Sequence, residues 1–309
     1  MSKTENNDKI LYLLTSEFPF GNGEAFIGNE IHFLSKEFNK VVIICGVRDT
    51  SSHRFIPENV EIKAINYDYT FSLLEIIVSI FSLRLIIEFI LMLFFYKKLP
   101  KFGRLKTAVT SNANTMRLKK LYSNEIFNSN LNTKKYFYSF WFNDSTHAIG
   151  LMKKENPDLK VFSRAHRWDL YFDQNKYNYL PFRLQTSKYL DTIYSASIEG
   201  IQYCKDTWKI SKYNNLQLSR LGVAPQKLLL LNISDKIIVS CSNIISVKRV
   251  DKIIESLSFV NTKKLKWIHF GTGPNDDEIK ALALKLLNKK MDFEFMGRLE
   301  NNLLLDWYK

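Results

Sequence analysis

Four short segments of the sequence combine residue types that could bind or transform a small polar substrate. They begin at Gly21, Ser163, Ser242 and His269 and read GNGE, SRAHRWD, SNIISVKRVD and HFGTGP. Each comes directly after a short apolar run that has the length of a buried strand. In open α/β sheets, ligands bind beyond the carboxyl ends of the strands. We therefore expect all four segments to lie at ligand-binding edges.

The first segment, with Gly21, Gly23 and Glu24, follows a strand and opens a helix, which is a context suited to phosphate. Its spacing is not that of a dinucleotide fingerprint, and Glu24, expected in the first helical turn, puts negative charge where a phosphate would sit. The segment predicts a tight turn that lets a substrate approach the backbone. The alternative is that the glycines serve only to adopt positive φ angles.

The second segment places Arg164 and His166 at the end of a predicted strand. His166 is the leading candidate for a catalytic residue, because histidine is a common polar contact and proton-transfer group. Arg164 beside it makes this a basic, titratable cluster at the ligand edge of the sheet. A histidine with a purely structural role is the alternative.

The third segment carries Lys248 and Arg249 between a strand and a helix. Lysine supplies a point charge and arginine a bidentate fork to a diphosphate, with helix N–H groups behind them. This is the best predicted anion site of the chain, and a solvated basic turn is the alternative.

In the fourth segment, acidic residues after Pro274 would repel phosphate. Gly271 and Gly273 are therefore expected to form a backbone wall of the cleft between the two predicted α/β units, not a phosphate-binding loop.

The elements that must position these residues alternate between apolar runs and segments of helical periodicity. The predicted strands are 10–15, 41–46, 136–142, 160–163, 192–195, 237–241, 267–270 and 293–296. The predicted helices are 24–38, 146–155, 197–208, 250–260 and 276–287. Such alternation indicates parallel sheets with crossover helices, hence an α/β fold. We expect two domains, 1–225 and 226–309, the second with only about three strand-and-helix repeats where a complete doubly wound domain has five or six strands.

Composition sets the class of protein. The chain has 309 residues, of which 46% are hydrophobic and 24% charged, and this excludes a disordered or fibrous protein. A net charge of +13 predicts attraction to nucleic acid, anionic lipid headgroups or phosphorylated substrates. Cys45, Cys204 and Cys241 are odd in number and far apart, which argues against a disulfide framework and a zinc site. With no secretory signal visible before Ile10, we expect a cytoplasmic location.

Residues 71–95 form an apolar segment that is followed by Lys97, Lys98 and Lys101. Arg84 and Glu88 near its middle could pair, but each opposes insertion into a bilayer by about 3 kcal/mol. A single span would also leave the two α/β units on opposite sides of the membrane. A helix that lies on the membrane or packs on the first sheet is therefore preferred over a span, and a buried core helix is the alternative.

Taken in order, these pieces resemble glycosyltransferase family 4, the nucleotide-sugar-dependent transferases of GT-B fold. The matching pieces are PFGNGEAF, RAH, the VKRVD element, HFGTGP and FMGRLENN, and the resemblance covers most of the chain. It implies two Rossmann-like domains that face each other across a cleft, an N-terminal one for the acceptor and a C-terminal one for the donor. It also implies transfer with retention and without a metal ion or other cofactor.

By this resemblance, the donor-phosphate lysine falls on Lys248 and the glycine wall on Gly271 and Gly273. Gly297 would lie near the nucleotide base, and His166 would reach the transferred sugar. Gly23, together with Gly21, Glu24 and Arg164, would lie on the acceptor side. The family usually has an arginine five residues before its lysine; here that position is Asn243, and Arg249 is the candidate substitute.

The resemblance also implies a Glu-x7-Glu motif beyond the helix near Glu300, and the chain ends at Lys309 before reaching it. The expectation is an incomplete second domain with weakened donor binding, because an unpartnered polar contact costs about 1 to 3 kcal/mol.

The leading hypothesis is a transferase that moves a sugar from a nucleotide-sugar to a lipid-linked or polysaccharide acceptor in bacterial surface polysaccharide assembly. We expect it at the inner face of the cell membrane, with peripheral contact through residues 71–101. The alternative is a non-catalytic remnant that binds nucleotide-sugars or anionic headgroups. Nucleic-acid binding ranks last, since no recognised motif interleaves the aromatic residues with basic ones.

Overall fold

The computed structural model describes residues 9–21, 23–46, 54–65, 70–127, 133–210, 215–223, 236–260, 262 and 265–308. The chain divides into two compact units, Met1–Val223 and Ala224–Lys309. The expected domain boundary after residue 225 falls on residues outside the described ones. The two units are described in turn.

Unit 1 is built on a seven-stranded parallel sheet in the order β3-β2-β1-β4-β5-β6-β7. Its strands are β1 (Lys9–Thr15), β2 (Lys40–Cys45), β3 (Val60–Ala64), β4 (Lys134–Ser139), β5 (Lys160–Ala165), β6 (Thr192–Ser195) and β7 (Asn215–Leu218). The direction of the strand order reverses at β1, which pairs with β2 on one side and with β4 on the other. Such a switch point opens a crevice at the carboxyl edge of a parallel sheet.

Both faces of this sheet are covered, as continuous apolar strands require. Side chains alternate along each strand, so Tyr12 and Leu14 pack into one core cluster while Leu11 and Leu13 pack into another. Tyr12 stacks on Phe137 of the neighbouring strand with ring centroids 4.9 Å apart. This two-sided burial is why β1, β2 and β4 could be recognised as apolar runs.

The helices of unit 1 cover the sheet and supply the crossovers. They are α1 (Ile27–Glu37), α2 (Leu73–Ile80), α3 (Leu83–Phe94), α4 (Phe102–Phe127), α5 (Asp144–Glu155), α6 (Arg167–Leu170), α7 (Arg183–Ser187) and α8 (Ile198–Asp206). The long helix α4 and the strand β3 are elements that the sequence did not predict. Helix α4 buries Asn112 and Thr115, polar residues that interrupt an apolar stripe.

The apolar segment 71–95 forms the bent pair α2 and α3. Ser72 caps α2 through a capping box with Glu75, and Ser82 caps α3. The axes differ by 58°; by length and composition the two together could cross a membrane, whereas no single helix of the described residues could.

Arg84 and Glu88, whose spacing would allow them to pair, make other contacts inside unit 1. Arg84 donates to Asn112 Oδ1 at 3.1 Å and lies over the Phe182 ring, 3.8 Å from its centroid. Glu88 is buried and accepts from Tyr179 and Gln185. Burial raises the pKa of Glu88 above its ordinary value. These residues therefore fasten α3 to the rest of unit 1.

Unit 2 contains a three-stranded parallel sheet in the order β10-β9-β8. Its elements are β8 (Lys236–Cys241), α9 (Val250–Leu257), β9 (Leu265–Phe270), α10 (Asp276–Leu287), β10 (Asp292–Gly297) and α11 (Asn301–Trp307). Trp267 and Ile254 are fully buried at the centre of its core. The predicted alternation of three strands and three helices is confirmed here, as is the α/β class of the whole chain.

Candidate functional site

Glu24 organises the loop after β1. Its carboxylate accepts hydrogen bonds from the backbone N–H groups of Ser16, Glu17 and Phe18 at 2.7 to 2.8 Å, and from Trp141 Nε1 at 2.6 Å. The expectation that Glu24 lies in the first helical turn is wrong: α1 begins at Ile27, and Glu24 precedes it with a φ of 53°. Since three consecutive N–H groups form an anion-binding concavity, the carboxylate itself occupies the place of a bound phosphate.

Gly21 and Gly23 occur in this loop for different structural reasons. Gly21 has a φ of 59°, which favours glycine. Gly23 donates its N–H to Glu17, and its carbonyl, like that of Gly21, accepts from Arg54 at 2.9 Å. The loop is therefore a tightly hydrogen-bonded turn, and the predicted acceptor-side role of Gly21, Gly23 and Glu24 stays a prediction.

Arg164 is buried below the carboxyl end of β5. It donates to Tyr138 Oη at 2.9 Å and to the Ser219 carbonyl at 2.6 Å, and it lies 3.4 Å from Glu30. These contacts connect β4, β5, α1 and the segment after β7. In this structure the guanidinium joins elements of unit 1, and its predicted contact with an acceptor stays a prediction.

His166 lies between β5 and α6 and packs its ring against two aromatic residues. The ring centroid is 4.6 Å from that of Phe140 and 4.5 Å from that of Trp141. Within the described part of the chain, both of its ring nitrogens are buried without a hydrogen-bond partner. Burial, with a smaller contribution from Arg164, lowers the pKa of His166 to about 4. At neutral pH the ring is therefore uncharged, with one donor and one acceptor unused.

The Asp169 carboxylate holds this junction in place. It accepts from the backbone N–H of His166 at 2.5 Å and from that of Phe142 at 2.6 Å. Asp169 thus ties the end of β5 to the end of β4, and burial raises its pKa to about 7.

In unit 2, Lys248 and Arg249 form the junction between β8 and α9, as predicted. Lys248 is exposed at the end of a short 3-10 turn, Ser246–Lys248. Arg249 has a φ of 53° and its guanidinium pairs with Asp251 at 2.9 Å, which lowers the pKa of that carboxyl. Arg249 therefore has a carboxylate partner already. Asn243 is exposed in the same loop.

The glycines of unit 2 allow two backbone segments to approach closely. A Cβ on Gly271 would lie 1.9 Å from the Ser242 carbonyl oxygen, and one on Gly273 would lie 2.2 Å from that of Ile244. Gly271 also has a φ of 135° and donates its N–H to the Gly297 carbonyl at 2.7 Å. The loops after β8, β9 and β10 therefore meet at one edge of the sheet, and they bring Asn243, Gly271 and Gly297 together.

Unit 1 also has a cavity of about 440 Å³ that no sequence motif indicated. It lies at the carboxyl ends of β1 and β2, beside the start of α5 and along α4. Asp144 at its wall accepts from Ser111 Oγ at 2.5 Å and from Asn114 Nδ2 at 2.7 Å. Burial raises the pKa of Asp144 above its ordinary value.

A buried cation, Arg183, also lines this cavity. It donates to the Pro181 carbonyl at 3.2 Å, contacts His147 Nε2 at 3.1 Å and packs over the ring of Phe142. Burial lowers the pKa of His147 well below its usual range, so the imidazole is neutral. Its Nδ1 lies 2.8 Å from Thr186 Oγ1.

One signal could have found part of this cavity. Asn143, Asp144 and Ser145 follow β4 at its carboxyl end, the same position that singled out His166 after β5. Asn114 and Arg183 come from distant helices, and no local pattern marks them. Among the described residues, no group of three or more His, Cys, Asp or Glu side chains could hold a metal ion.

The fold has known counterparts, although sequence comparison finds none: no protein-family model and no curated protein matches this chain. The apo form of the lipopolysaccharide outer core galactosyltransferase WaaB is 13% identical, with a TM-score of 0.56 over 97% of this chain and 71% of that one. A mutant of S. aureus TarM, in complex with fondaparinux, alpha-GlcNAc-glycerol and UDP, is 9% identical, with a TM-score of 0.55 over 94% of this chain and 78% of that one.

A third counterpart comes from a plant. The catalytic domain of starch synthase IV from Arabidopsis thaliana, bound to ADP and acarbose, is 7% identical, with a TM-score of 0.53 over 96% of this chain and 76% of that one. The chain therefore has the GT-B fold of glycosyltransferases, as predicted. At these identities the match establishes the fold alone.

Proposed function

We propose that this chain is a nucleotide-sugar-dependent glycosyltransferase of family 4 that acts on a saccharide or lipid-linked acceptor in bacterial surface polysaccharide assembly. The observation that carries the proposal is the match of nearly the whole chain to GT-B glycosyltransferases, one of them bound to UDP and another to ADP. In the proposed reaction, the bond between the anomeric carbon and the diphosphate oxygen breaks and one to an acceptor oxygen forms, with retention. The acceptor proton leaves with the diphosphate.

The proposed donor site is the edge of unit 2 where three loops meet. Lys248 is exposed there, and it would place a point charge on the diphosphate while the N-terminus of α9 contributes N–H groups. Gly271, Gly273 and Gly297 would form the backbone wall of this site, since the close approach of the loops after β8 and β9 depends on Gly271 and Gly273. Lysine and helix N–H groups would balance the diphosphate charge without a metal ion.

His166 is the proposed contact to the transferred sugar in unit 1. A neutral imidazole can donate to one hydroxyl oxygen and accept from another. Both ring nitrogens are buried and unpartnered among the described residues, so the proposed contact requires the ring to become exposed when the sugar binds. The low pKa keeps the ring uncharged at neutral pH. It would therefore orient the sugar through hydrogen bonds and would not act as a general acid.

Calorimetry tests the donor site. Full-length protein titrated with UDP, GDP and ADP should bind at least one of them, and Lys248→Ala should weaken that binding about tenfold or more, since a charge-assisted contact contributes about 1.5 to 3 kcal/mol. Lys285→Ala, which removes an exposed lysine from α10, is the matched control and should bind like wild type. Equal nucleotide affinity in wild type, Lys248→Ala and Lys285→Ala would contradict the assignment of Lys248 to the donor site.

Contact with the membrane is proposed through α2 and α3. The two helices and the turn between them expose many large apolar side chains, among them Phe81 in the turn at 79% and Phe94 at the end of α3 at 73%. Lys97, Lys98 and Lys101 follow directly. Immersing a phenylalanine contributes about 1.5 to 3 kcal/mol, and each lysine near an anionic surface adds about 1 kcal/mol.

Flotation with vesicles tests this surface. Wild-type protein should float with vesicles that contain phosphatidylglycerol and less with phosphatidylcholine alone, and the double variant Phe81→Ser, Phe94→Ser should remain at the bottom. Phe33→Ser, which alters a phenylalanine that is 67% exposed on α1, is the control and should float. Flotation of the double variant equal to wild type would refute the proposed contact.

The second candidate, a non-catalytic protein that binds nucleotide-sugars or anionic headgroups, differs in one measurable way. It would bind a nucleotide-sugar but release no free nucleoside diphosphate in the presence of acceptor extracts. The pairing of Arg249 with Asp251 favours this candidate, because among the described residues of this loop it leaves Lys248 without a second cation that is free of a carboxylate.

A further inference from the structure

His269 is a buried histidine of unit 2 to which the proposed donor site gives no role. It lies in β9, two residues before Gly271, and is fully buried. Its Nδ1 lies 2.8 Å from Ser240 Oγ, and its Nε2 lies 3.2 Å from the Ser242 carbonyl oxygen. The imidazole therefore joins β9 to β8 and to the first residue of the loop 242–248, which ends at Lys248.

The hydrogen-bond partners determine which ring nitrogen carries the proton. The Ser242 carbonyl can only accept, so Nε2 donates to it. Trp267 Nε1 lies 2.9 Å from Ser240 Oγ and can only donate, so the hydroxyl accepts from the indole and donates to His269 Nδ1. Burial lowers the pKa of His269, while the bond to Ser242 and the charge of Asp276 raise it by less. The ring is therefore neutral at pH 7 and protonated at Nε2.

The peptide group between Ser242 and Asn243 receives this bond at the start of the loop. A trans peptide is planar, so a Ser242 carbonyl that faces the imidazole directs the Asn243 N–H the opposite way. Within the described part of the chain, that N–H donates to no other group. Ile245 N–H donates to the Asn243 carbonyl at 3.0 Å, and Lys248 N–H donates to the Ile245 carbonyl at 2.9 Å. These bonds connect the orientation of the first peptide to the position of Lys248.

The other bonds that hold the start of this loop come from the backbone. Ser242 N–H donates to the Phe270 carbonyl at 3.0 Å, and Ile244 N–H donates to the Thr272 carbonyl at 3.1 Å. Among the described residues, His269 is the only one outside the loop whose side chain makes a hydrogen bond to it. A substitution of this one residue can therefore loosen the loop while the backbone bonds to the next strand remain.

We propose that His269 is a positioning residue of the donor site. Through the Ser242 carbonyl, its ring holds the loop 242–248 in the conformation that presents the Asn243 N–H and Lys248 to a diphosphate. This inference deepens the proposed function and rests on it for the identity of the ligand, whereas the hold on the loop requires no nucleotide. His269 contacts no reacting atom and acts only through the loop.

NMR spectroscopy of the full chain tests the hold on the loop without a ligand. With 15N-labelled histidine, the His269 ring of wild type should be protonated at Nε2 and not at Nδ1 at pH 7. His269→Phe keeps an aromatic ring against Trp267 and Phe295 but removes the donor. The hydrogen-bonded amides of Ile245 and Lys248 should then exchange with solvent about tenfold faster or more.

Two polar variants form a matched pair. His269→Gln has an amide nitrogen that can donate from about the position of Nε2, so it should restore most of the protection of the loop amides. The amide of His269→Asn reaches only the position of Nδ1, and this variant should exchange like His269→Phe. The pair separates the bond to the Ser242 carbonyl from a general requirement for a polar side chain, and it stays informative even where His269→Phe does not fold.

Nucleotide binding tests the consequence for the donor site. In calorimetry with UDP, GDP and ADP, the nucleotide that binds should bind about tenfold more weakly to His269→Phe and His269→Asn, and within about threefold of wild type to His269→Gln. Lys248→Ala should weaken binding less in His269→Phe than in wild type, because the lysine is then no longer held in place. Leu287→Ala truncates a fully buried side chain at the far end of α10 and is the control; it should destabilise unit 2 and bind like wild type.

The outcomes separate this inference from the proposed function. The inference is overturned if the wild-type ring carries its proton at Nδ1 or is charged at pH 7, or if the loop amides exchange equally in wild type and His269→Asn. It is also overturned if folded His269→Asn binds the nucleotide like wild type, or if the effects of His269→Phe and Lys248→Ala simply add. Wild-type protein that shows the expected ring and loop but binds none of the three nucleotides would contradict the proposed function and leave the hold on the loop standing.

Discussion

Glu24 should be a principal stabilising residue of unit 1, although the sequence predicted it in the first turn of a helix. Its carboxylate receives four hydrogen bonds, three of them from consecutive backbone N–H groups and one from Trp141. In the variant Glu24→Gln, the carboxamide keeps one accepting oxygen and turns an NH2 group toward the remaining donors. The negative charge that strengthens all four bonds is also lost.

The magnitude follows from these contacts. A hydrogen bond to a charged group contributes about 1.5 to 3 kcal/mol, and a buried donor left unpaired costs about 1 to 3 kcal/mol. Phe18 N–H is buried, whereas those of Ser16 and Glu17 are only partly buried and can rehydrate. We therefore expect Glu24→Gln to lower the free energy of unfolding by about 2 to 3 kcal/mol, or Tm by about 4 to 12 °C.

Urea unfolding followed by tryptophan fluorescence measures this loss, and Trp141 reports directly on the loop. Glu17→Gln is the matched control, because that side chain accepts a single exposed bond from Gly23 and should cost less than about 1 kcal/mol. If Glu24→Gln and Glu17→Gln unfold at the same urea concentration, the proposed role of Glu24 in holding the loop is refuted.

Two further predictions concern stability. Gly271→Ala should lower the free energy of unfolding of unit 2 by about 2 to 4 kcal/mol in urea, because its Cβ would lie 1.9 Å from a backbone oxygen at a φ of 135°. The control is Gly222→Ala, whose Cβ would meet no atom of the described residues within 4 Å and which should cost less than about 1 kcal/mol. Equal losses in the two variants would contradict the close approach at Gly271. His166 has a pKa of about 4 when folded and 6.5 ordinarily, so the unfolded chain binds more protons between these values and wild type loses stability as pH falls. His166→Phe keeps the ring packing, and the difference in free energy of unfolding between wild type and this variant removes the contributions of other titrating groups. That difference should change by about 2 kcal/mol between pH 7 and pH 4.5. A difference that stays constant with pH would show that the ring is not held neutral.

The parts of the fold that the sequence predicted are those in which one local pattern decides the structure. Strand β1 is apolar along its length because both of its faces are buried, and its residues at 11 to 14 are all core. Gly271 and Gly273 were placed correctly after β9, because the apolar run 267–270 ends directly before them.

The parts that were missed depend on contacts between distant residues. Helix α4 has no clear apolar stripe, because Asn112 and Thr115 are buried in it through hydrogen bonds to Ser79, Ser82 and its own backbone. The pairing of Asn114 with Asp144 joins residues 30 positions apart. Glu24 was assigned to α1 because segment 24–38 has apolar residues at helical spacing, yet four donors from other segments hold it before the helix.

The central claim is that the chain transfers a sugar from a nucleotide-sugar, and release of free nucleoside diphosphate tests it most directly. Purified protein is incubated with UDP-, GDP- and ADP-sugars, with and without a bacterial lipid and polysaccharide extract. The account predicts release from a sugar of one nucleotide that depends on the extract, is lost in Lys248→Ala and persists in Lys285→Ala. Cooperatively folded wild-type protein that releases no nucleotide from any of these donors would contradict it.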